Sequence, residues 1–390
     1  MSSTTISDAA RVHREALVEH LKSENVIQSD AWHRAFSIVP REVFVPRWYE
    51  QEATDKGISA WREHDATSDD SLPLVYRDVT LVTSLDPDTA EQIDTGLWTG
   101  IPTSSSTLPS VLAPMLEELE VEDGTTVLHV GTGPGYLVAL LCARLGDRFV
   151  YSMDIDPAIV RAAQQRLASI GYEPHLVSDD GREGYPTGEQ FDRIISTCSL
   201  PEITDGLMRC TKPGTVIVTN LGFGIESGVV RVVVDDAGRA SGGFTDHGGT
   251  FMPARGTAQT YPVKERAELA GEASTRTTSV SGADFRANYT FRLLLAAELR
   301  GAEFVYHSDP ATGALSIQLQ QPDGAWARSP IAGEQTVTYG GAPSLWRTVE
   351  QTWAWWTEEG KPEQEQFDYV READGSAYIT HHNSGRRWNL

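Results

Sequence analysis

The stretch VLHVGTGPGY at residues 127–136 constrains this chain more than any other. An apolar run ends in three glycines at alternate positions and turns directly into a second apolar run, YLVALLCARLG. Glycine tolerates positive φ and lets another backbone or a ligand approach closely. A strand that leads through such a turn into a helix points backbone N–H groups and a helix N-terminus at one spot. The chain therefore requires a sheet whose strand ends form a binding crevice.

The surrounding pattern agrees. TTVLHV, RFVYSMDID, PHLVSDDG, FDRIISTCSL and GTVIVTNLG read as strands, and the first two and the third are separated by helical runs, YLVALLCARLG and PAIVRAAQQRLASIG. Strands alternating with helices of this length predict an α/β fold with a mostly parallel, doubly wound sheet. PSVLAPMLEELEVEDG reads as a helix with Pro109 in its first turn and Pro114 placed to kink it. Upstream, Val12, Leu17, Leu21 and Val26 recur at roughly helical spacing, and a short helix is expected over residues 31–38. VPREVFVPRWYEQ is expected to be a short extended piece bracketed by prolines. Residues 52–100 are polar and poorly periodic, with one plausible strand at VTLVTSL.

After residue 228 the character changes. GVVRVVVDDAGRASGGF, ALSIQLQQPDGAWARS and QFDYVREADGSAYITHH each read as two strands around a turn ending in glycine. SLWRTVEQTWAWWTEEG reads as a helix with Leu345, Val349, Trp353 and Trp356 on one side, stopped by Gly360 and Pro362. Three regions follow: residues 1–100, N-terminal, helical and on the substrate side; residues 101–228, the cofactor-binding core; and residues 229–390, a β-rich α+β extension.

The crevice predicts its own ligand. Asp154 ends the strand after the glycine loop, where a carboxylate accepts hydrogen bonds from ribose hydroxyls. Asp179, Asp180 and Gly181 end the third strand, where an adenine amine can be read. These features point to an adenosine-containing cofactor. Nicotinamide cofactors ordinarily want Gly-x-Gly-x-x-Gly and a helix dipole facing a pyrophosphate. Here the third glycine comes one residue early, with Pro134 between, which favours S-adenosylmethionine, a cofactor without phosphate.

Composition narrows the function classes. The net charge is -23. Nucleic acid and anionic membranes both want a basic face, so neither is expected as a partner. No apolar run reaches the ~20 residues a bilayer span needs. The first residues lack an apolar core, so no secretory leader is expected. Three cysteines, Cys142, Cys198 and Cys210, are too scattered for a disulfide framework or zinc site. A cytoplasmic location fits these features, and no metal is expected; His381 and His382, being adjacent, face opposite sides of a strand.

These residues resemble the protein-L-isoaspartate O-methyltransferase family. VLHVGTGPGYLVALL is similar to its cofactor loop, VYSMDID to its ribose-binding strand end, and SDDGREGYP to its Asp-Gly turn. FDRIISTCSLPEI resembles the strand that follows, VPREVFVP the signature before the core, and STLPSVLAPMLEEL the segment that reads Ser-x-Pro before a helix. The resemblance covers roughly residues 10–225. It implies a class I, Rossmann-like methyltransferase fold with S-adenosyl-L-methionine as cofactor and S-adenosyl-L-homocysteine as product. It places cofactor contacts at His129, Gly131, Thr132, Gly133, Gly135 and Tyr136 in the loop. Further contacts fall on Asp154 and Ile155, on Asp179, Asp180 and Gly181, and on Ser196.

Thr107 stands where the family has serine beside the reacting carboxylate, with Ser106 able to substitute for it. Asp78 in YRDVTL lies where the family has an aspartate that shapes the site. His129 replaces the usual glutamate. These departures, with the extension, resemble a specialised branch from actinobacterial clusters that build ribosomal, modified peptides such as graspetides, lanthipeptides and lasso peptides. The implied activity is methylation of an aspartate in an already crosslinked precursor peptide, the implied partner, with the ester closing to an aspartimide that opens to isoaspartate. General isoaspartate repair and a non-catalytic scaffold binding the cofactor or a peptide are the alternatives. A homodimer is compatible with the extension. A carboxylate is already nucleophilic at neutral pH, so the chemistry needs positioning and water exclusion rather than a general base.

Overall fold

The glycine turn forms where its spacing predicts. In the computed structural model, which describes residues 8–53, 59–66, 69–256, 266 and 269–390, the strand Val127–Val130 is wholly buried and leads through the loop into the helix Tyr136–Leu145. Residues 1–7, on which part of the leader expectation rests, lie outside the described residues. The chain divides into two units. The first comprises Met1–Cys198, Thr204–Thr219 and Ala254–Thr257; the second comprises Ser199–Ile203, Asn220–Pro253 and Ala258–Leu390.

In the first unit, Val127–Val130 lies between Phe191–Leu200 and Val150–Asp154, and His175–Ser178 lies outside the latter, all in parallel register. The apolar runs on these strands are continuous because helices cover both faces of a parallel sheet. Val127, Leu128, Val150, Ile194 and Ile195 are fully buried. The helix Pro157–Ser169 returns the chain between the second and third strands; Asp156 caps it, accepting from the amides of Ala158 and Ile159. The fold class is the expected one, that of the class I methyltransferases.

Two expectations about the N-terminal region are corrected. Residues 41–44 form a short helix, Arg41–Phe44, in place of an extended piece. Pro40 occupies its N-cap position, where the missing N–H costs nothing. The stretch expected to be mostly irregular holds much of a six-stranded antiparallel sheet built from Arg47–Ala53, Ser59–Asp65, Leu81–Leu85, Glu91–Asp94, Leu97–Thr99 and Pro102–Ser106. Its small core joins Tyr49, Val82 and Leu85 with Trp61 and Trp98. Glu91–Asp94 is an edge strand with every residue exposed. In the first helix, Asp8–Ser23, Leu17, Val18 and Leu21 face the core, whereas Val12 is exposed.

The second unit contains the hairpins read from sequence. Ser227–Val234 pairs with Ala240–Phe244, Leu315–Gln320 with Trp326–Pro330, and Phe367–Arg371 with Ala377–His381, all antiparallel. The helix Ser344–Glu358 buries Leu345, Trp346, Val349, Thr352 and Trp356. Its Glu350 accepts from both terminal nitrogens of Arg276 and from the Thr278 hydroxyl, each at 2.8 Å. His381 is buried against the Trp355 and Phe367 rings, and His382 pairs with Asp368 at 3.0 Å.

A carboxylate fixes the first unit's strand ends. Asp192 accepts from the amide and hydroxyl of Thr126, at 2.9 and 2.7 Å, and lies 2.7 Å from the Lys212 ammonium. Burial opposes its charge, but Lys212 and the two Thr126 donors outweigh that and hold its pKa at about 2. This depressed value contributes stability above the unfolded carboxyl's pKa of about 4, and the contribution is lost as pH falls toward 2. With partial exposure discounted, Asp192→Asn should cost about 1–2 kcal/mol at pH 7. Denaturant titrations of both proteins should show that gap closing between pH 4 and pH 2; a constant gap would rule out the linkage.

Candidate active site

All three loop glycines adopt positive φ: Gly131 at 97°, Gly133 at 52° and Gly135 at 97°. A side chain at Gly135 would also crowd Ala163 and the Phe44 ring, at 3.2 and 3.3 Å. The amides of Gly131 and Thr132 both donate to the Met153 carbonyl, at 2.9 and 3.1 Å. The Gly133 amide donates to one Asp154 oxygen at 2.9 Å, and the Asp156 amide to the other at 3.2 Å. Loop and ribose-side carboxylate are thus one hydrogen-bonded unit. Burial pushes the Asp154 carboxyl upward against these two amides and the nearby charge of Arg255. Ile155, next in the chain, is exposed.

At the third strand end, the Asp179 amide donates to the Asp154 carbonyl. Asp179 itself accepts from the Asp180 amide at 2.8 Å. Asp180 is engaged more firmly: Arg182 donates to both its oxygens, through Nε at 3.0 and 3.1 Å and through Nη2 at 2.6 Å. That side-chain bond holds the Asp180 carboxyl below its ordinary range. Gly181 packs where a β-carbon would strike Val130 at 2.3 Å, so glycine is required there for the turn to sit on the sheet.

A pocket beside the loop is lined by Ser105, Ser106, Thr107 and Leu112, by His129, Gly131, Thr132, Pro134, Tyr136 and Leu137, and by Thr197. It brings the two candidate hydroxyls and the cofactor loop together. Asp78 does not line it. Its carboxylate accepts from the Ser110 amide at 2.9 Å, in the first turn of the helix Pro109–Glu118, where negative charge favours the helix dipole. Ser196 is also outside the lining; its hydroxyl bonds the Cys198 carbonyl at 2.9 Å, and the neighbouring Thr197 faces the pocket instead.

His129 is buried, with both ring nitrogens engaged: Nδ1 with the Ser152 hydroxyl at 3.1 Å and Nε2 with the Thr197 hydroxyl at 2.8 Å. Thr197 donates its own proton to the Gly131 carbonyl at 3.2 Å. Nε2 must therefore carry the imidazole proton, leaving Nδ1 to accept from Ser152, whose oxygen accepts from Thr132 at 2.7 Å. The relay locks the loop from beneath. Tyr136 packs against Phe36 and Phe44, and burial raises its phenol to about 12.

One central residue was assigned no role from the sequence. Arg41 is fully buried. Its guanidinium donates to the carbonyls of Val75 and Val79 at 3.0 Å, of Arg77 at 2.8 Å, and of Ser106 and Thr107 at 3.5 Å. Nε also reaches the Ser106 hydroxyl at 3.4 Å. Its backbone amide donates to the Tyr76 hydroxyl, which donates to Glu42. It lies in the VPREVFVP segment.

Comparison with known proteins gives this geometry a family. Residues 75–253 match the family described as protein-L-isoaspartate(D-aspartate) O-methyltransferase. The protein-L-isoaspartate O-methyltransferase of Thermococcus onnurineus is 30% identical over 207 residues, 53% of this chain and 76% of the relative. The chain belongs to the protein-L-isoaspartate O-methyltransferase family. The Pyrococcus horikoshii member is 29% identical over 240 residues, covering 60% of this chain and 90% of its own. A solved protein-L-isoaspartate O-methyltransferase shares the fold at a TM-score of 0.54 and 18% identity, covering 94% of this chain and 99% of its own. This methyltransferase is an enzyme of S-adenosylmethionine-dependent protein carboxyl methylation. The loop fits that cofactor, since its positive-φ glycines leave the strand ends open to a nucleoside and Asp154 stands ready for a ribose. Among the described residues, no helix is long and apolar enough to cross a membrane.

Burial pulls the His129 pKa down to about 3. The unfolded chain's imidazole protonates near ~6.5, so the unfolded state takes up the proton first as pH falls. Wild-type stability should drop by about 2 kcal/mol between pH 6.5 and pH 5 from this group alone. The stability of wild type relative to His129→Gln should shrink by that amount over the interval, as read by urea unfolding. An unchanged difference would mean the imidazole is not held neutral.

Proposed function

We propose that this methyltransferase transfers the methyl group of S-adenosylmethionine to an aspartate side-chain carboxylate in a constrained, crosslinked ribosomal precursor peptide. The observation that carries the carboxylate reading is the pocket in which Ser106 and Thr107 share walls with the cofactor loop. A carboxylate oxygen attacks the methyl carbon in line, the carbon–sulfur bond breaks, and the sulfonium leaves as a neutral thioether. The hydroxyls of Ser106 and Thr107 orient the second carboxylate oxygen. In-line positioning contributes up to roughly 7–11 kcal/mol in such reactions, and no proton has to be moved by the protein.

Thr107 supports a substrate other than the family's usual one. Its extra methyl narrows the space beside the acceptor carboxylate, and its β-branching stiffens the side chain. Esterification then makes methanol a leaving group, and the next backbone nitrogen closes a five-membered imide that opens to aspartate or isoaspartate. The second reading is repair of isoaspartate in damaged proteins. One observation favours it: a solved relative of that name spans 94% of this chain, so a chain extended past residue 228 is compatible with that class.

Mass spectrometry with labelled S-adenosylmethionine separates the two. A crosslinked precursor peptide should gain one methyl or lose one water, and an isoaspartyl test peptide should stay unchanged. Methylation of the isoaspartyl peptide alone would overturn the maturation reading in favour of repair. Thr107→Ala should lower kcat about 10–100-fold on the accepted peptide, in the range of one lost positioning contact, with S-adenosylhomocysteine affinity unchanged by calorimetry.

A further inference from the structure

The buried Arg41 guanidinium raises a question that the carboxyl-transfer reading leaves open. All the acceptors described above are carbonyls or a hydroxyl, and among the described residues no carboxylate hydrogen-bonds it. An arginine does not shed its proton in proteins, so a whole positive charge sits behind the pocket wall. Buried charges ordinarily find an opposite charge. Asp78 is the opposite charge that acts on it, through space and without a hydrogen bond, and the fork spends its donors on two separate segments. One is the turn at residues 75–79; the other is the hydroxyl loop at residues 106–107. Tyr136, which lines the pocket, lies with its ring 5.7 Å from the same guanidinium.

We propose that Arg41 is the positioning residue of this site: it clamps Ser106 and Thr107 in register with the cofactor loop. The proposal rests on the carboxyl-transfer reading for the substrate's charge, and on the structure alone for the clamp. The contacts perform two tasks. Contacts to the carbonyls of Ser106 and Thr107 fix the backbone, whereas Nε and Nη2, at 3.4 and 3.5 Å from the Ser106 hydroxyl, fix a side chain. Because a guanidinium can only donate, the Ser106 oxygen accepts from it and turns its own proton away. That proton is then free for an anionic oxygen in the pocket.

The test uses the full chain with Arg41→Lys, which keeps the charge but loses the fork, and Ser106→Ala, which removes the side-chain target. Three readouts are compared. Hydrogen exchange should accelerate at least tenfold at residues 104–108 in Arg41→Lys and stay unchanged in the strand Val127–Val130. S-adenosylhomocysteine affinity should stay within threefold. With the isoaspartyl or precursor peptide that wild type methylates, KM should rise about tenfold and kcat fall. Added to Ser106→Ala, Arg41→Lys should cost markedly less than it does alone, because neighbours sharing one interaction are non-additive. Unchanged exchange at residues 104–108 overturns the clamp. So does equal acceleration in Val127–Val130 with loss of S-adenosylhomocysteine binding, which would make Arg41 a general structural residue. Full additivity with Ser106→Ala overturns the side-chain route. If wild type methylates neither peptide, the functional reading fails, and the exchange data still decide the clamp.

Discussion

A single buried guanidinium, hydrogen-bonded among the described residues to carbonyls and a hydroxyl rather than to a carboxylate, organises the catalytic half of this protein. Desolvation makes a buried charge costly, and Arg41 meets that cost by gathering carbonyl groups from segments far apart in the chain. The short helix Arg41–Phe44, the turn after the helix Leu72–Val75 and the strand Pro102–Ser106 therefore have to arrive at one point. None of these pieces is long enough to fix its own position. Asp78 and Thr80 reinforce the arrangement from the other side, accepting from the amides of Ser110 and Leu108. The hydroxyl loop is thus fastened by both charge and capping before any ligand enters.

The cofactor side is built on the opposite principle. Its order comes from neutral groups. The glycine loop hangs on the Met153 carbonyl and on the relay through Thr197, His129, Ser152 and Thr132. Where the family has a glutamate, His129 gives both ring nitrogens to Ser152 and Thr197. One wall of the pocket is therefore electrically quiet, and the other carries a cation behind it. That asymmetry suits a reaction in which an anion attacks a sulfonium and both charges vanish in the products.

How much of this was legible in the sequence depends on how local the signal is. The parallel strands and their helices were readable because each is a continuous apolar run ended by glycine or proline. The loop glycines were readable because positive φ is a single-residue property. The antiparallel sheet between residues 47 and 106 was not. Strands such as RWYEQEA and SAWREHD mix charged and aromatic residues, and pairing between Glu52 and Arg62 neighbours stabilises them only once they are side by side. Among site residues, Thr107 and Ser106 could be found by a motif. Ser196 and Thr197 are adjacent on one strand and so face opposite sides; Thr197 is the one that lines this pocket. Arg41 was invisible as a hub because its partners converge from separate segments, and nothing in VPREVFVP announces that the charge is buried.

The exposed edge strand Glu91–Asp94 has a consequence for the protein in solution. An open edge presents unpaired backbone groups that can template a second chain. Here the edge carries Glu91 and Asp94, with Ile93 the exposed apolar residue between them. Their like charges repel an identical edge approaching it, and the overall charge of -23 acts in the same direction. This protection is electrostatic, so it belongs to a range of acidity. As a solution approaches the sequence isoelectric point of about 4.8, the repulsion from the overall charge fades while the backbone of the edge is unchanged. Acidity and ionic strength thus bear on an edge of four residues that lie outside the pocket lining.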